Sequence, residues 1–266
     1  MKYSVITVNY NNREGLRRTM ESVVGQTCRD FEYIVIDGGS TDGSADLLRE
    51  HESELSYWVT ERDRGVYHAM NKGIRRARGE YLIFMNSGDT FYDNDVLACV
   101  LPLLTADIVH GRLFYYSGRE RTVYLRGEPT LQHFLDNTLN HQAAFIARRL
   151  FEGTMYDERY KIVSDWKFFM QKLIVENCSF RSIDVKVGRF EEGGISESDS
   201  LLDARERSEV LAAMFPPRMV ATLERFKGRE SPMLDLIPQF NRTDRLQKVI
   251  IRTVKAIIAI HKWIKR

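Results

Sequence analysis

Polar side chains recur where four short apolar runs end in the first 90 residues. The groups that follow these runs are Thr7, Asn9, Tyr10 and Asn11; Asp37, Gly38 and Gly39; Glu61 and Asp63; and Asn86, Ser87, Gly88 and Asp89. Such residues are common in turns and helix caps, which would explain any one group but explains poorly why all four occur together. Mg²⁺ and Mn²⁺ take oxygen ligands and act as Lewis acids on diphosphates, so Asp89 is a candidate ligand for either ion.

The first 110 residues alternate apolar runs with helical patterns, which predicts an α/β domain with a mostly parallel sheet flanked by helices. We predict strands at 3–8, 31–36, 57–59 and 81–85, and helices at 14–26, 44–51 and 66–77. In such a sheet the ligand lies outside the carboxyl ends of the strands. The polar groups fall at that edge.

The pattern is less regular beyond residue 111. We predict strands at 107–110, 112–116, 122–125 and 143–146, and a helix at 164–175. Residues 1–198 form one expected domain, whose more regular part ends near residue 110. Residues 199–266 form a helical C-terminal appendage that prolines interrupt.

Composition excludes several classes of protein. With 43% apolar and 29% charged residues the chain can bury a core, and its net charge of +2 argues against a nucleic-acid binder. Cys28, Cys99 and Cys178 form no framework spacing, which favours reduced thiols in the cytoplasm and disfavours zinc. No secretion signal is recognised, and the Gly38–Gly43 run lacks both the dinucleotide fingerprint and a P-loop lysine.

Residues 242–266 carry eight Lys or Arg and one acid. Apolar residues recur there at three- and four-residue steps from Leu246 to Ile264, which predicts a basic amphipathic helix. Its charges argue against a membrane span, but such a helix can lie on the anionic inner face of the cytoplasmic membrane. The alternative is that its apolar stripe packs on the catalytic domain or on a second copy in a homodimer.

Seven segments together resemble glycosyltransferase family 2. They are SVITVNYNN from Ser4, VIDGGSTDGS from Val35, ERDRGVYHAMNKGI from Glu61, GEYLIFMNSGD from Gly79, NHQAAFIARRLF from Asn140, SDW from Ser164 and GGIS from Gly193. The resemblance implies the GT-A fold and transfer of a sugar from a nucleotide donor with inversion at the anomeric carbon. It covers about the first 196 residues. It therefore implies that residues 1–198 are a catalytic domain, with a nucleotide-binding half to about residue 110 and an acceptor half over 111–198.

The resemblance also assigns the donor side of the site. It implies that Thr7, Asn9 and Tyr10 line the nucleotide pocket, that Asp37 bonds a base that is usually uracil, and that Asp63 lies near the ribose or base. Asn71 falls near the diphosphate, and Gly39, Asn86 and Ser87 join the donor site. The chain departs from the family at Met70, where many members have a basic residue, and at Gly88, because the metal motif of two acids is here Asn-Ser-Gly-Asp.

On the acceptor side, Asp165 resembles the catalytic base of the family, and the alternative is a helix cap. Asp157 and Glu158 are reserve candidates. His141 and Gln142 are assigned to substrate binding. Trp166 either stacks on a sugar ring or packs in the core. The GGIS run is expected to close over the donor.

The sequence therefore predicts an inverting glycosyltransferase. Its donor is a UDP-sugar, its acceptor a glycan or lipid-linked oligosaccharide, and Mn²⁺ or Mg²⁺ assists. One rival is a sugar-phosphate nucleotidyltransferase, which would need a glycine-rich loop where NYNNREG stands. The other is a catalytically degenerate, membrane-peripheral binder of nucleotide sugars. The donor sugar, acceptor, linkage and oligomeric state are left open.

Overall fold

The N-terminal half is built on four parallel strands in the order β3-β2-β1-β4. The computed structural model describes residues 1–116, 120–191 and 199–226. The strands are β1 (Tyr3–Asn9), β2 (Phe31–Asp37), β3 (Tyr57–Thr60) and β4 (Tyr81–Phe84), and the helices between them are α1 (Arg13–Val24), α2 (Ser44–Glu50) and α3 (Val66–Arg76). Each predicted element of this half is found, with ends shifted by one or two residues.

Helices cover both faces of this half. Met70 and Ile74 of α3 join one apolar core with Ile6 of β1, while α1 and α2 pack against the other face. A Cβ at Gly73 would lie 2.5 Å from Ile6, so glycine there allows α3 to approach β1.

The second half of the sheet is mixed. Antiparallel pairs join β4 to β8, β8 to β6, β6 to β7 and β5 to β9, whereas β6 and β9 run parallel. The strands are β5 (Thr90–Phe91), β6 (Ile108–Tyr116), β7 (Glu120–Val123), β8 (Ala144–Ala147) and β9 (Phe180–Glu191). The predicted α/β class is confirmed, but the parallel pattern stops at β4. The patterns at 107–110 and 112–116 form one strand, and neither β5 nor β9 was predicted.

Further helices follow β5 in the described chain. They are α4 (Val96–Val100), α5 (Leu131–Asp136), α6 (Ser164–Met170), α7 (Ser200–Met214) and α8 (Pro217–Phe226), with a π-helical turn at Gln171–Val175. Val210 and Leu211 of α7 join the core that contains Phe134 and Trp166. The predicted break at the proline pair separates α7 from α8.

Two predicted features lie outside the described residues: the GGIS loop at 193–196 and the basic helix at 246–264. Within the described ranges, none of the helices has the length and apolar character that a membrane span requires.

Candidate functional site

A cavity of about 1260 Å³ opens at the carboxyl edge of the parallel strands. Of the predicted site residues, those that line it are Asn9, Tyr10, Gly39, Asp63, Asn86, Ser87, Asp89, His141, Gln142, Asp165 and Trp166. They come from loops that are distant in sequence. The cavity therefore brings together the donor-side and acceptor-side candidates.

Thr7 and Asn71 do not line the cavity. The hydroxyl of Thr7 is buried 3.0 Å from that of Tyr33, on the strand face opposite to Ile6 and Val8. The amide of Asn71 donates to the carbonyl of Tyr156 at 2.8 Å and accepts from its N–H at 3.0 Å. These contacts fasten Asn71 to the backbone at residue 156 instead of to the pocket.

Asp37 also lies behind the cavity wall. Within the described chain its carboxylate accepts five hydrogen bonds, from the Asn9 amide, the Thr60 hydroxyl, the Gly39 N–H, and both the N–H and hydroxyl of Ser40. Burial alone would raise the pKa of Asp37, but these donors outweigh it and hold the pKa below its usual value. Asp37 therefore shapes the loop after β2 and has little capacity left for a base.

Asp63 has the free acceptor that Asp37 lacks. Its side chain is 9% exposed, and Oδ1 lies 2.9 Å from Nδ1 of His68 and 2.5 Å from Nζ of Lys72. Oδ2 is buried without a hydrogen-bond partner among the described residues. A Cβ at Gly38 would lie 3.4 Å from this oxygen and 3.2 Å from the ring of Tyr10, which is 68% exposed. Tyr10, Gly38 and Asp63 thus border one recess.

The turn at residues 86–89 is fixed by α1. The hydroxyl of Thr19 accepts from the Gly88 N–H at 3.0 Å and donates to the Asp89 carbonyl at 2.7 Å. Gly88 has φ +109°, a conformation that L side chains rarely adopt. This conformation explains why glycine stands where the resemblance leads one to expect an acid.

Side-chain oxygens of Asp89 and Asn86 are the metal-ligand candidates at this turn. Asp89 is 4% exposed and lines the cavity, and Oδ1 of Asn86 is buried without a hydrogen-bond partner within the described ranges. Those ranges contain no group of three or more His, Cys, Asp or Glu arranged to hold a metal. Hence an ion would need further oxygens from a bound diphosphate and water.

Asp165 lies in the first turn of α6 and is the centre of a hydrogen-bond network. Its Oδ2 lies 2.9 Å from Nδ1 of His141, while Oδ1 accepts from the Tyr67 hydroxyl at 2.7 Å and the Trp166 N–H at 2.9 Å. Burial would raise the pKa of Asp165, but the contact with His141, followed by Tyr67 and the Trp166 N–H, lowers it overall. The carboxylate is thus ionised at neutral pH and held in one orientation.

His141 joins Asp165 to the donor-side turn. Its Nε2 lies 3.1 Å from the Asn86 amide nitrogen, so both ring nitrogens are engaged. If the amide donates, Nε2 of His141 is the acceptor of that hydrogen bond and the hydrogen on Nδ1 donates to Asp165. These contacts favour an orienting role for His141 over the predicted direct substrate contact.

Trp166 packs in the core. It is 2% exposed, its indole N–H donates to the Phe134 carbonyl at 2.7 Å, and the Arg207 guanidinium covers its ring at 4.6 Å. Of the two alternatives left open by the sequence, packing is the one that these contacts favour. The reserve candidates Asp157 and Glu158 do not line the cavity and are paired with basic side chains.

Helix α7 supplies site residues that the sequence analysis missed. Asp203 and Arg207 line the cavity. The buried carboxylate of Glu206 accepts from the N–H groups of residues 161, 162 and 163, at 2.8, 3.0 and 3.3 Å. It holds the loop that leads into Asp165. The signal that could have found Glu206 is an acid at a core-facing helix position, four residues before Val210 and distant from any cap.

Comparisons with known proteins agree with the resemblance. The glycosyl transferase family 2 profile matches residues 4–162. A PGL/p-HBAD biosynthesis glycosyltransferase of Mycobacterium bovis is 32% identical over 207 residues, which are 74% of this chain and 79% of the relative.

Two solved structures share the fold. TarS 1-349 of S. aureus in complex with UDP-GlcNAc has a TM-score of 0.63 and 19% identity, over 84% of this chain and 66% of that one. The mannosyltransferase PcManGT of Pyrobaculum calidifontis in complex with GDP-Man and Mn²⁺ has a TM-score of 0.63 and 17% identity, over 96% and 80%. The predicted GT-A fold is confirmed.

Proposed function

The chain belongs to glycosyltransferase family 2 and is a glycosyltransferase, and from that premise we propose that it moves a sugar from a UDP-sugar to an acceptor hydroxyl with inversion. The acceptor is a glycan or a lipid-linked oligosaccharide. The observation that carries the proposal is that Asp63, Asp89 and Asp165 line one cavity. These three carboxylates suit three separate tasks.

Asp63 binds the nucleobase of the donor. Its buried Oδ2 is an acceptor for a ring N–H, which uracil, thymine and guanine offer in this position and adenine and cytosine lack. The exposed ring of Tyr10 supplies a flat surface beside it. Because Asp37 is already saturated, the base contact that the sequence analysis gave to Asp37 moves to Asp63.

Asp89 holds a divalent ion, with the Asn86 amide oxygen as a second ligand. Carboxylate and amide oxygens are the donors that Mg²⁺ and Mn²⁺ prefer, and the unpartnered Oδ1 of Asn86 fits this use. When bound, the ion neutralises charge that develops on the diphosphate leaving group. PcManGT, which shares the fold and whose complex includes Mn²⁺, supports the use of a divalent ion.

Asp165 acts as the general base. It takes the proton of the acceptor hydroxyl as that oxygen attacks the anomeric carbon, while His141 keeps the carboxylate in place. The bond from the anomeric carbon to the diphosphate breaks, and its electron pair leaves with the nucleotide. One displacement of this kind inverts the anomeric configuration.

Calorimetric titration with UDP, GDP and dTDP, with and without Mn²⁺, tests the donor site first. We expect UDP to bind best, to need Mn²⁺ for full affinity, and to lose that dependence in Asp89→Ala but not in Asp93→Ala, which changes an exposed acid outside the cavity. Failure of all three nucleotides to bind would contradict the assignment of the pocket.

The anomeric configuration of the sugar that the enzyme releases from its donor tests the mechanism. With an α-linked UDP-sugar such as UDP-GlcNAc as the probe, inversion gives the β anomer in proton NMR spectra. Release of the α anomer would contradict single displacement. Tight UDP binding without turnover on any donor and acceptor would favour the rival function, a degenerate binder.

The catalytic unit extends beyond residue 198 through α7, because Glu206 and Arg207 support the cavity.

The basic segment at 242–266 attaches the enzyme to the inner face of the cytoplasmic membrane. Co-sedimentation with anionic and neutral vesicles, for the full chain and for a chain ending at residue 241, tests the attachment. Equal sedimentation of both chains with anionic vesicles would contradict it.

A further inference from the structure

The hydroxyl of Tyr67 lies between two acceptors. Its oxygen is 2.7 Å from Oδ1 of Asp165 and 2.5 Å from the carbonyl oxygen of Ile162. Burial, followed by the nearby Asp165, raises the pKa of Tyr67 well above its usual value, so the phenol stays neutral. A neutral phenol has one hydrogen. It cannot donate fully to both oxygens at once.

The competing carbonyl is held in place. Ile162 donates its own N–H to Glu206 at 3.0 Å, and the neighbouring N–H of Lys161 donates to the same carboxylate at 2.8 Å. Tyr67 is itself buried and packs against the ring of Tyr156 at 5.5 Å. Only rotation of the O–H bond is therefore needed to change the acceptor.

We propose that Tyr67 is a positioning residue whose single hydrogen is directed to Asp165 or to Ile162 according to the charge of Asp165. The inference rests on the proposed role of Asp165 as the base. Before reaction the ionised carboxylate is the stronger acceptor and receives the hydrogen. Once Asp165 has taken the proton of the acceptor hydroxyl, the neutral carboxyl is a weaker acceptor and the hydrogen rotates to the Ile162 carbonyl.

The choice of two acceptors for the Tyr67 hydrogen affects how readily Asp165 can accept a proton. A carboxylate that three fixed donors stabilise would hold its charge too firmly to accept a proton. A donor that can turn to a second acceptor costs less on protonation than a donor without one, because it still makes a hydrogen bond when Asp165 is neutral. Relative to no donor at all, it still favours the charged carboxylate. Tyr67 therefore orients Asp165 before the reaction and releases it as the proton arrives.

NMR titration of the full chain labelled with ¹³C at aspartate carboxyl and isoleucine carbonyl carbons tests the inference. The resonance of Asp165 is identified by its loss in Asp165→Asn, and that of Ile162 by its loss in Ile162→Leu. We expect the Ile162 carbonyl to shift with the same midpoint as Asp165 in the wild type. We expect Tyr67→Phe to uncouple the two and to raise the Asp165 midpoint by about one pH unit, the effect of losing one hydrogen bond to a charged group.

Two further proteins complete the test. Tyr156→Phe is the matched control, because it removes a hydroxyl from the adjoining ring that has no hydrogen-bond partner among the described residues. Difluorotyrosine at position 67 is a stronger donor and should lower the midpoint, which keeps the test valid should Tyr67→Phe fold poorly. Among the described residues, His141, Tyr67 and Tyr156 interact electrostatically with Asp165, so the control also covers the third of these.

An Ile162 carbonyl that does not follow Asp165, or an equal shift of the midpoint in Tyr156→Phe and Tyr67→Phe, would overturn the inference. Its failure is distinct from failure of the proposed function. The titration observes the carboxyl directly, whereas the base role fails only if Asp165→Asn still transfers sugar at the wild-type rate.

Discussion

Nδ1 of His141 lies 2.9 Å from Oδ2 of Asp165, and the other nitrogen of the same ring contacts the Asn86 amide 3.1 Å away. One imidazole thus spans the distance between the turn that carries the metal candidate Asp89 and the helix that carries Asp165, the proposed general base. The donor and acceptor halves of the site are therefore joined by side-chain contacts as well as by the sheet.

Replacement of Asp165, the proposed general base, should lower the transfer rate without changing the affinity for UDP. In Asp165→Asn we expect the transfer rate to fall by roughly 10²–10⁴, the usual contribution of a positioned base. UDP affinity should be unchanged, because the amide fills the same volume and Asp165 is on the acceptor side. Steady-state kinetics and calorimetry measure the two effects.

The matched control for this variant is Asp157→Asn. Asp157 is eight residues away and forms ion pairs with Arg159 and Lys167, but it does not line the cavity. Transfer should survive in the control. An Asp157→Asn enzyme as inactive as Asp165→Asn would show that the loss comes from the fold of the loop and not from proton transfer.

Replacement of the Asp63 carboxylate, the proposed contact to the nucleobase, should weaken donor binding. In Asp63→Asn we expect the Kd for UDP to rise by about 10- to 100-fold, because a hydrogen bond to a carboxylate is replaced by one to a neutral amide. Glu61→Gln is the control: Glu61 contacts the same Lys72 at 2.7 Å but is exposed. Equal losses in both variants would trace the effect to Lys72.

Asp37 should behave differently from Asp63. Its carboxylate is occupied by protein donors, so Asp37→Asn should lower the free energy of unfolding by about 2 kcal/mol, the scale of disrupted hydrogen bonds to a buried charge. Chemical denaturation measures this change, with Asp46→Asn, which changes an exposed acid of α2, as the control. A normal stability combined with lost UDP binding would restore Asp37 as the base contact.

Stability should fall in acid partly through Glu32. Burial alone would raise the pKa of this carboxyl, but hydrogen bonds from Ser4, Arg78 and the Gly79 N–H lower it overall. A lowered native pKa means that the unfolded chain binds protons first, so the stabilisation is complete above the unfolded value of about 4.3 and is lost as pH falls below it.

Denaturation between pH 3 and 7 tests whether Glu32 loses its stabilising effect in acid. The difference in unfolding free energy between wild type and Glu32→Gln should shrink as the pH drops below about 4. Glu80→Gln, which changes an exposed acid paired with Lys2, should leave the profile unaltered. A difference that widens in acid would contradict the lowered pKa.

The contact between α7 and the loop before α6 should be essential for activity. Glu206→Gln places an amide against backbone N–H groups, so we expect a loss of about 2 kcal/mol in unfolding free energy together with slower transfer. Glu209→Gln, on the same helix and exposed, should behave as the wild type. Normal transfer in Glu206→Gln would show that the loop holds Asp165 without help from α7.

The parallel half of the fold could be predicted because its signals are local. Each strand from β1 to β4 is an apolar run that ends in polar residues, and each helix has a clear apolar face. The mixed half is set by pairings between distant segments. Strand β9 alternates Ile183, Val185 and Val187 with polar residues, but its partner β6 lies some 70 residues earlier, and the two-residue β5 leaves no pattern to detect.

The site residues also differ in whether their roles follow from local sequence or from contacts between distant segments. Asp63, Asp89 and Asp165 could be found because acids stand at strand and helix ends, where a cavity is expected. Thr7 and Asn71 could not be excluded, since the direction of a side chain depends on what packs against it. Tyr67 and Glu206 occupy ordinary helix positions, and their roles arise only from contacts across the fold.

The contacts of Glu206 and Arg207 bear on how this enzyme can be shortened or recombined. A fragment that stops at the predicted domain boundary would lose the carboxylate that fixes the loop before Asp165 and the guanidinium over Trp166. Exchange of acceptor preference between relatives would therefore require transplanting α6 and α7 as one block. The smallest piece worth expressing for crystals or for engineering ends no earlier than residue 214.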